Sequence, residues 1–309
     1  MGDRFGGPGA GGRGPSPHQP GACRAGAMTG PDDPLERRLL ALAKERPDLR
    51  EAVEAYRVTL PVLRDAAPIA APVALDGKQV REKISRGEPV LGGCTLRFDR
   101  RASRELMLRL ARGLFGAGVK GMSRIRRALE EDRLVPAELL RHAVKGNYPF
   151  VAKRAEAQVL APALLWTLAQ YALKPALRSW CREIAPLVRF AGAWERSDCY
   201  VCGAPASLCE LQGNEQAGHL RCGQCGADWP TRRLRCIYCG NEDTESLGVL
   251  YPEGRRDSVR VEVCDACRGY FKVIATFAPS SPEELAIEDL STLYLDGYAQ
   301  GRGYRRPTA

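Results

Sequence analysis

The sequence predicts an α+β protein in which an all-helical N-terminal domain precedes two tandem metal ribbons and a C-terminal helix. Three observations support this prediction. Apolar residues recur at helical spacing through the first two thirds of the chain. Four Cys-x-x-Cys pairs then follow within short segments rich in Gly and aromatic residues. Finally, Ser281-Pro282-Glu283-Glu284 carries the cap, the Pro and the acidic first turn of a last helix.

The chain divides into four segments by composition. The first is crowded with Gly and Pro and lacks apolar periodicity, so we expect a disordered tail. Helical structure should begin at Asp33-Pro34-Leu35-Glu36, which combines an N-cap, a Pro at the first helical position and a Glu three residues after the cap. The predicted segments are a tail at 1–30, a helical domain at 31–196, two ribbons at 197–276, and a C-terminal helix and tail at 277–309, with fraying from Arg302 to Ala309.

The most apolar stretch runs from Val159 to Leu177 and predicts a buried helix or two. A membrane span needs about 20 mostly apolar residues. Because this stretch contains Gln170, Lys174 and two prolines, we expect no stable membrane insertion. No charged start followed by an apolar run of export-signal length opens the chain, so the expected compartment is the cytoplasm.

Eight of the 12 cysteines form four Cys-x-x-Cys pairs. Two intervening residues let both sulfurs of a pair turn toward one ion, and two facing pairs supply a tetrahedron of thiolates. A glycine follows three of the pairs directly, as expected for tight turns that need a positive φ. The pairs are Cys199/Cys202, Cys222/Cys225, Cys236/Cys239 and Cys264/Cys267.

Consecutive pairs are the favoured partners, although an interleaved cross-brace remains an alternative. The gaps of 19 and 24 residues within the two matched sets each fit a hairpin or a short sheet. The segment from Ser258 to Val263 supports this, because apolar and polar residues alternate along it. The ribbons then resemble an internal duplication of knuckle, hairpin and knuckle. The predicted ligand sets are Cys199, Cys202, Cys222 and Cys225 for one ion, and Cys236, Cys239, Cys264 and Cys267 for the other.

Disulfides, redox pairs and merely buried thiols are the alternatives to metal. A redox Cys-x-x-Cys pair normally opens a helix after a strand and occurs once, so four copies do not fit that use. Metal binding can supply about 10–16 kcal/mol per site to fold a segment too small to hold itself. Four protein ligands leave no open coordination position, which is unfavourable for metal-centred hydrolysis.

Other candidate ligands have weaker support. Cys94, Cys181 and Cys209 lack a Cys-x-x-Cys partner and are interpreted as core or surface thiols. His219 lies three residues before Cys222 and is an alternative ligand, whereas four cysteines already complete that set.

The net charge of +9 is unevenly distributed. Residues 31–198 carry a net charge of +10 and residues 199–309 a net charge of −3. A divalent ion in four thiolates leaves a local charge of −2, which would repel phosphates. A nucleic-acid-binding ribbon is therefore disfavoured.

Two further motifs do not indicate an enzyme. Gly116-Ala117-Gly118-Val119-Lys120-Gly121 matches the dinucleotide-binding pattern, but it follows a helical run instead of a strand, so we interpret it as an interhelical turn. No Ser/His/Asp arrangement can be assembled. Adjacent carboxylates such as Glu130/Glu131 point to different helix faces. We therefore expect no catalytic residues and no organic cofactor.

Five sequence runs in the C-terminal third form a recognisable series: CYVCG, HLRCGQCGADW, RLRCIYCGN, VEVCDACRGYFKVI and EDLSTLYLDGYAQGRGY. Together they resemble the formate dehydrogenase accessory proteins of the FdhE type. The resemblance covers about Ser197 to Tyr304, whereas residues 31–196 are similar only in helical character.

This resemblance implies a helical domain followed by tandem rubredoxin-like ribbons in a cytoplasmic protein that is not an enzyme. It also implies a partner, the catalytic subunit of an exported formate dehydrogenase, whose maturation the protein would support. The implied cofactors are two tetrathiolate metal ions, iron or zinc, since tetrahedral S₄ coordination suits both. A zinc-ribbon protein that binds nucleic acid and a rubredoxin-type electron carrier are the alternative hypotheses.

The charge distribution suggests a partner site in the groove between the two domains. Trp229, Tyr238, Tyr270 and Phe271 are candidate aromatic anchors, with packing inside the protein as the alternative. The basic run of Arg232, Arg233 and Arg235 is a second candidate surface for acidic residues of a partner.

Overall fold

A computed structural model describes residues 33–188, 194–251 and 258–306, and helices and strands occupy separate parts of this chain. Eight helices precede the strands, and two more follow them within the described ranges. The predicted α+β class is confirmed. The predicted tail at 1–30 lies outside the described residues.

The N-terminal helices begin where the sequence provides caps. The Asp33 carboxylate accepts a hydrogen bond from the Leu35 amide at 2.9 Å, as the cap signature predicted. Asp76 and Gln79 form a reciprocal capping box at the third helix. The helices are α1 (Pro34–Glu45), α2 (Arg50–Arg64), α3 (Gly77–Ser85), α4 (Arg100–Gly116), α5 (Met122–Glu130), α6 (Pro136–Ala143), α7 (Tyr148–Glu156) and α8 (Pro162–Ile184).

Helix α8 is the central element of the bundle and contacts α2, α4, α6 and α7. Its Leu165, Leu168, Ala172 and Leu173 are almost fully buried, because apolar residues at this spacing share one face. The apolar stretch that begins at Val159 thus forms mainly one buried helix. Within the described ranges, every helix is too short or too polar to cross a membrane.

The glycine-rich motif is an interhelical turn, as the sequence predicted. Helix α4 ends at Gly116, and the chain then passes through Gly118 at φ 78° and Gly121 at φ 84° before α5 begins. Both residues adopt the left-handed conformation that glycine tolerates. The motif follows a helix rather than a strand, so it lacks the context of a dinucleotide site.

Each ribbon contributes a three-stranded antiparallel meander, and the two meanders form one sheet. The order is β3-β2-β1-β6-β5-β4, with β1 and β6 paired in parallel at the centre. Cys209 lies opposite Val273 in that central pair. The strands are β1 (Leu208–Gln212), β2 (Ala217–Arg221), β3 (Asp228–Pro230), β4 (Leu247–Leu250), β5 (Val259–Cys264) and β6 (Gly269–Thr276).

The C-terminal segment contains two short helices where the sequence suggested one. Helix α9 (Pro282–Ser291) starts at the predicted capping box, in which Ser281 and Glu284 exchange hydrogen bonds. At Thr292 the backbone leaves the helical conformation, and the Thr292 hydroxyl donates to the Glu288 carbonyl at 2.6 Å. Helix α10 (Leu293–Gln300) follows.

The expectation that the chain frays from Arg302 is wrong for the described residues of that segment. The Arg305 amide donates to the Arg268 carbonyl at 2.8 Å, and the Tyr270 amide donates to the Arg305 carbonyl at 3.1 Å. The Arg306 guanidinium pairs with Asp296 at 2.9 Å. Backbone pairing and a half-buried ion pair thus hold the end of the chain on the sheet.

One hydrophobic core extends from the bundle into the first ribbon. Trp180 and Cys181 of α8 share it with Cys199, Tyr200 and Val201. The second ribbon instead packs Val261 and Tyr270 against Leu295 of α10 in a separate small cluster. The first ribbon is therefore part of the bundle core. The second ribbon is divided between the two clusters, because Phe271 and Val273 of β6 are members of the bundle core.

Candidate metal centres

The first knuckle shows the turn that aims two sulfurs at one point. The Gly203 amide donates to the Cys199 carbonyl at 2.8 Å, and the Cys199 amide donates to the Ala204 carbonyl at 2.8 Å. This turn requires a left-handed residue after the second cysteine, and Gly203 supplies it at φ 75°.

The second and third knuckles repeat this turn. Gly226 donates to the Cys222 carbonyl at 2.9 Å, and Gly240 donates to the Cys236 carbonyl at 3.0 Å. Both glycines are left-handed, at φ 80° and 74°. In the fourth knuckle the same position is Arg268, at φ 57°.

The first two knuckles bring four sulfurs together. The Sγ atoms of Cys199, Cys202, Cys222 and Cys225 all lie within 4.8 Å of one another. Cys199 and Cys225 are 3.4 Å apart, and Cys202 and Cys222 are 3.6 Å apart. The Val201 amide points at the Cys199 sulfur from 3.4 Å, and the Cys225 amide at the Cys222 sulfur from 3.5 Å. We call this group site 1.

The third and fourth knuckles form a second group of the same kind. The Sγ atoms of Cys236, Cys239, Cys264 and Cys267 also lie within 4.8 Å of one another. Cys236 and Cys267 are 3.6 Å apart, and Cys239 and Cys264 are 3.8 Å apart. We call this group site 2.

Both groups fit a tetrahedral metal ion. Metal–sulfur bonds of about 2.3 Å place the sulfurs of a regular tetrahedron about 3.8 Å apart. The four sulfur separations given above, between 3.4 and 3.8 Å, are close to that edge. Each group combines consecutive pairs, and neither mixes pairs as the interleaved alternative requires.

Burial distinguishes the two sites. In site 1, Cys199 and Cys222 are fully buried and Cys225 is 2% exposed. In site 2, Cys239 is exposed and Cys267 is half-buried. Because Cys202 is half-buried and the other three cysteines of site 1 are buried, site 1 is the more enclosed of the two sites.

The thiols of site 1 differ in acidity. Burial raises the pKa of Cys199 and Cys225 well above that of a free thiol. The neighbouring thiol of Cys199, with those of Cys202 and Cys225, holds the pKa of Cys222 well below its usual value.

Site 2 shows a similar division. Burial raises the pKa of Cys236 to about 12. Burial would also raise the pKa of Cys264, but the amides of Cys267 and Ala266 and the Cys239 thiol lower it to about 7. Burial therefore opposes the charged form of Cys199, Cys225 and Cys236.

His219 does not join site 1. Its Nδ1 lies 2.5 Å from Asp228 Oδ1, and the imidazole is absent from the sulfur group. Burial would raise the pKa of Asp228, but the hydrogen bond from His219 and the charge of Arg221 lower it. The histidine therefore belongs to a polar network beside the site.

A buried ion pair in that network was not apparent from the sequence. Arg221, directly before Cys222, pairs with Glu210 of β1, and both side chains are nearly inaccessible. The Arg221 guanidinium also donates to the Ser280 carbonyl at 2.8 Å, and the Ser280 amide donates to Glu210 at 3.1 Å. These bonds connect the second knuckle to the segment before α9. The alternation of polar and apolar residues within β1 and β2 was the sequence feature that could have indicated this pair.

Four cysteines remain, of which Cys23 lies outside the described residues and two of the other three have local partners. Cys94 donates to the Val90 carbonyl at 3.3 Å, and Cys209 lies 3.7 Å from the Glu210 carbonyl. Burial raises the pKa of Cys209 to about 12. Cys181 of α8 is a hydrogen-bonding neighbour of Cys225, so a fifth thiol borders site 1 from the bundle.

The predicted aromatic anchors are mostly internal. Trp229 is fully buried, donates to the Arg196 carbonyl at 3.1 Å and contacts Tyr200 edge to face. Tyr270 and Phe271 are also buried, and the half-buried Tyr238 donates to the Tyr270 carbonyl at 3.1 Å. The anchor hypothesis is wrong for these residues, and the packing alternative is correct.

A groove of about 460 Å³ runs beside site 2. Its walls include Trp194, Arg232 and the third knuckle from Cys236 to Gly240. Glu195 binds both Arg232 and Arg235, at 2.7 Å and 2.6 Å. Two members of the predicted basic run are therefore already paired within the chain.

The family model described as "FdhE, C-terminal domain" matches residues 234–309, which include the whole of site 2. The resemblance to the FdhE type is thereby confirmed.

Curated FdhE homologues are similar to this chain over somewhat more than a third of its length. Homologues from Shewanella baltica strain OS185 and Aquifex aeolicus are 32% and 31% identical over 117 residues. These matches cover 37% and 36% of this chain, and 38% and 40% of the relatives. The chain thus matches about two fifths of the length of these relatives.

The crystal structure of the FdhE protein from Pseudomonas aeruginosa has a similar fold over nearly the whole chain. The TM-score is 0.58 at 23% sequence identity, and the match covers 89% of this chain and 92% of that one. A match over 89% of this chain extends the similarity in fold into the helical domain.

Proposed function

We propose that this protein is an accessory protein that binds the catalytic subunit of a formate dehydrogenase and supports its maturation in the cytoplasm before export. The observation that carries this proposal is the pair of four-cysteine sites within a C-terminal region of FdhE type. The protein acts by binding, and it is not an enzyme.

The eight cysteines hold two metal ions, iron or zinc, as structural centres. Each site supplies four sulfur ligands, so neither ion keeps an open position for substrate. A bound ion fixes two knuckles and the hairpin between them, which a small polar segment cannot achieve by apolar packing alone. Metal binding is thus a requirement for the shape of the partner surface.

The distribution of charge supports partner binding. Residues 31–198 carry a net charge of +10, whereas residues 199–309 carry a net charge of −3. Two divalent ions in tetrathiolate sites bring the latter to about −7, since eight thiolates contribute more negative charge than the ions remove. Such a polar molecule orients a partner during encounter.

The groove beside site 2 is the proposed contact surface. It presents the guanidinium of Arg232, whose side chain is 66% exposed, beside the half-buried Ile237 of the third knuckle. Aromatic and Arg side chains contribute most of the binding energy in many interfaces. The neighbouring Arg233 is also exposed and extends the basic edge of this surface.

The test is capture of partners from the native host under anaerobic conditions, with metal analysis of the same sample. We expect the dehydrogenase catalytic subunit to be captured together with two metal equivalents per chain. A Cys236→Ser/Cys239→Ser variant is the matched control and should lose both one equivalent and much of the capture. Capture of no dehydrogenase by a fully metallated chain would contradict the proposal.

The same sample distinguishes the alternative of nucleic-acid binding. That function predicts affinity for DNA or RNA that decreases steeply with salt. The net negative charge of residues 199–309 instead predicts negligible binding to either.

A further inference from the structure

Arg268 is unusual among the residues that close the four knuckles. The other three are glycines at φ 74° to 80°, and Arg268 takes the same left-handed conformation at φ 57°. A residue with a Cβ adopts this conformation at an energetic cost, so such residues persist where surrounding contacts hold them. The contacts of Arg268 should therefore show what holds this residue in the left-handed conformation.

Two of the glycines are also required because a side chain at these positions would lie too close to a neighbouring proline. A Cβ at Gly203 would lie 3.2 Å from Pro89 Cγ, and one at Gly226 would lie 2.7 Å from Pro282 Cγ. These knuckles are pressed against the bundle and against α9. The fourth knuckle instead faces the C-terminal segment 302–306, which we call the strap.

The Arg268 side chain and carbonyl both bind the strap. The guanidinium donates to the Arg302 carbonyl at 2.6 Å and lies 4.0 Å from the ring centroid of Tyr304. The Arg268 carbonyl accepts from the Arg305 amide at 2.8 Å. Asp265, within the knuckle, accepts from both Arg268 and the Tyr304 hydroxyl at 2.7 Å.

The strap is anchored at its far end to two other parts of the fold. Arg306 pairs with Asp296 of α10 at 2.9 Å and donates to the Ser207 carbonyl of the first ribbon at 3.1 Å. The Arg305 carbonyl accepts from the Tyr270 amide of β6 at 3.1 Å. A knuckle bound to the strap is thus bound indirectly to the rest of the sheet.

We propose that Arg268 is a positioning residue that latches the fourth knuckle to the strap and thereby slows metal release from site 2. This site has the greater need of a latch, because Cys239 is exposed and Cys267 is half-buried. Releasing an ion requires Cys264 and Cys267 to separate from Cys236 and Cys239. The contacts between Arg268 and the strap oppose that separation, because they fix the turn that carries Cys264 and Cys267.

Replacing Arg268 with Gly tests the proposal, because the two interpretations predict opposite results. If the position requires only a left-handed backbone, Arg268→Gly removes strain and leaves metal release unchanged or slower. If Arg268 latches the knuckle, the variant loses its contacts to the strap and releases the ion faster. Contacts just outside metal ligands typically change affinity by about 10-fold or more, and we expect an acceleration of that order.

The experiment follows zinc transfer from the fully loaded, full-length protein to a chromogenic chelator. Site 1 is the internal reference, so one of two release phases should accelerate while the other keeps its rate. Leu234→Gly is the matched control, because Leu234 is also left-handed, at φ 56°, and is 72% exposed. That variant relieves the backbone without touching the strap and should leave both phases unchanged.

Two further variants cover the case in which Arg268→Gly cannot be loaded with zinc at site 2. Tyr304→Phe removes only the hydrogen bond to Asp265, and truncation after Gly301 removes the whole strap. The latch is supported if zinc release from site 2 is faster in Tyr304→Phe than in the unaltered protein, and faster still in the truncated chain, which loses more contacts. Release from site 2 at the unaltered rate in the truncated chain, or in Arg268→Gly, overturns it.

Discussion

The guanidinium of Arg178 on α8 forms an ion pair with the carboxylate of Glu283 in the first turn of α9, although 105 residues separate them along the chain. Their side chains are only 12% and 15% exposed. The Glu283 carbonyl also accepts a hydrogen bond from Tyr56 of α2 at 3.2 Å. The C-terminal helix is therefore attached to the bundle as well as to the sheet.

Replacing Glu283 with Gln should destabilise the folded protein. The change leaves the largely buried Arg178 cation without its counter-charge, and breaking such pairs costs about 2–4 kcal/mol. Urea unfolding followed by circular dichroism measures the loss. Glu88→Gln is the control, because Glu88 pairs with Arg86 on the surface and its removal should cost less than about 1 kcal/mol. Equal effects of the two changes would contradict a structural role for the Arg178–Glu283 pair.

Truncation of Trp229 should affect stability before it affects partner binding. Trp229 is fully buried, so Trp229→Ala should lower the free energy of unfolding by about 3–5 kcal/mol. Phe277→Ala is the control, because Phe277 is 89% exposed and its loss should change stability little. A Trp229→Ala variant of unchanged stability would restore the hypothesis that this residue is a surface anchor.

The cysteine sites were predictable because their signal is local. Each knuckle needs only two cysteines, two residues between them and a left-handed residue after them. In three of the four knuckles a glycine at that last position indicated the turn in the sequence. The grouping of consecutive pairs followed from gap lengths that fit a hairpin. The fourth knuckle has Arg268 in place of glycine. The role of Arg268 could not be predicted, because no local sequence pattern connects this residue to the strap.

The shared sheet could not be predicted in the same way. Its central contact is the parallel pair of β1 and β6, in which Cys209 lies opposite Val273. A parallel pair between segments far apart in sequence has no turn signature, whereas the hairpin contacts on either side do. The pair of Arg221 with Glu210 was hidden for a similar reason, since burial of both charges becomes visible only when β1 and β2 are placed.

The basic run before the third knuckle should contribute to partner capture through its unpaired edge. Glu195 already binds Arg232 and Arg235, whereas Arg233 is exposed. Changing Arg232, Arg233 and Arg235 to Glu should weaken capture of the dehydrogenase subunit without altering metal content. Arg233→Glu alone keeps the two ion pairs and should show a smaller effect of the same sign. Unchanged capture by both variants at moderate ionic strength would exclude this face.

A strong chelator should empty site 2 before site 1. The ligand Cys239 is exposed, whereas Cys199 and Cys222 are fully buried. Loss of the first ion should leave most of the helical circular dichroism, because the four cysteines of site 2 are not members of the core shared with the bundle. Loss of the second should reduce the melting temperature of the helical domain, since site 1 lies in the shared core. Simultaneous loss of both ions with complete loss of helical signal would show a single cooperative unit.

Pairwise serine replacement should separate the two sites by stoichiometry and by stability. Cys199→Ser/Cys202→Ser should remove one ion and leave the other, because the second set of four sulfurs remains complete. Cys236→Ser/Cys239→Ser should also remove one ion, but with a smaller loss of thermal stability, since the four cysteines of site 2 are not members of the core that Cys199 shares with α8. Metal analysis and melting curves of both variants provide the measurement. Release of both ions, or of neither, by either double change would contradict the grouping of consecutive pairs. An equal loss of stability in the two variants would instead show that site 1 is no more integral to the bundle than site 2.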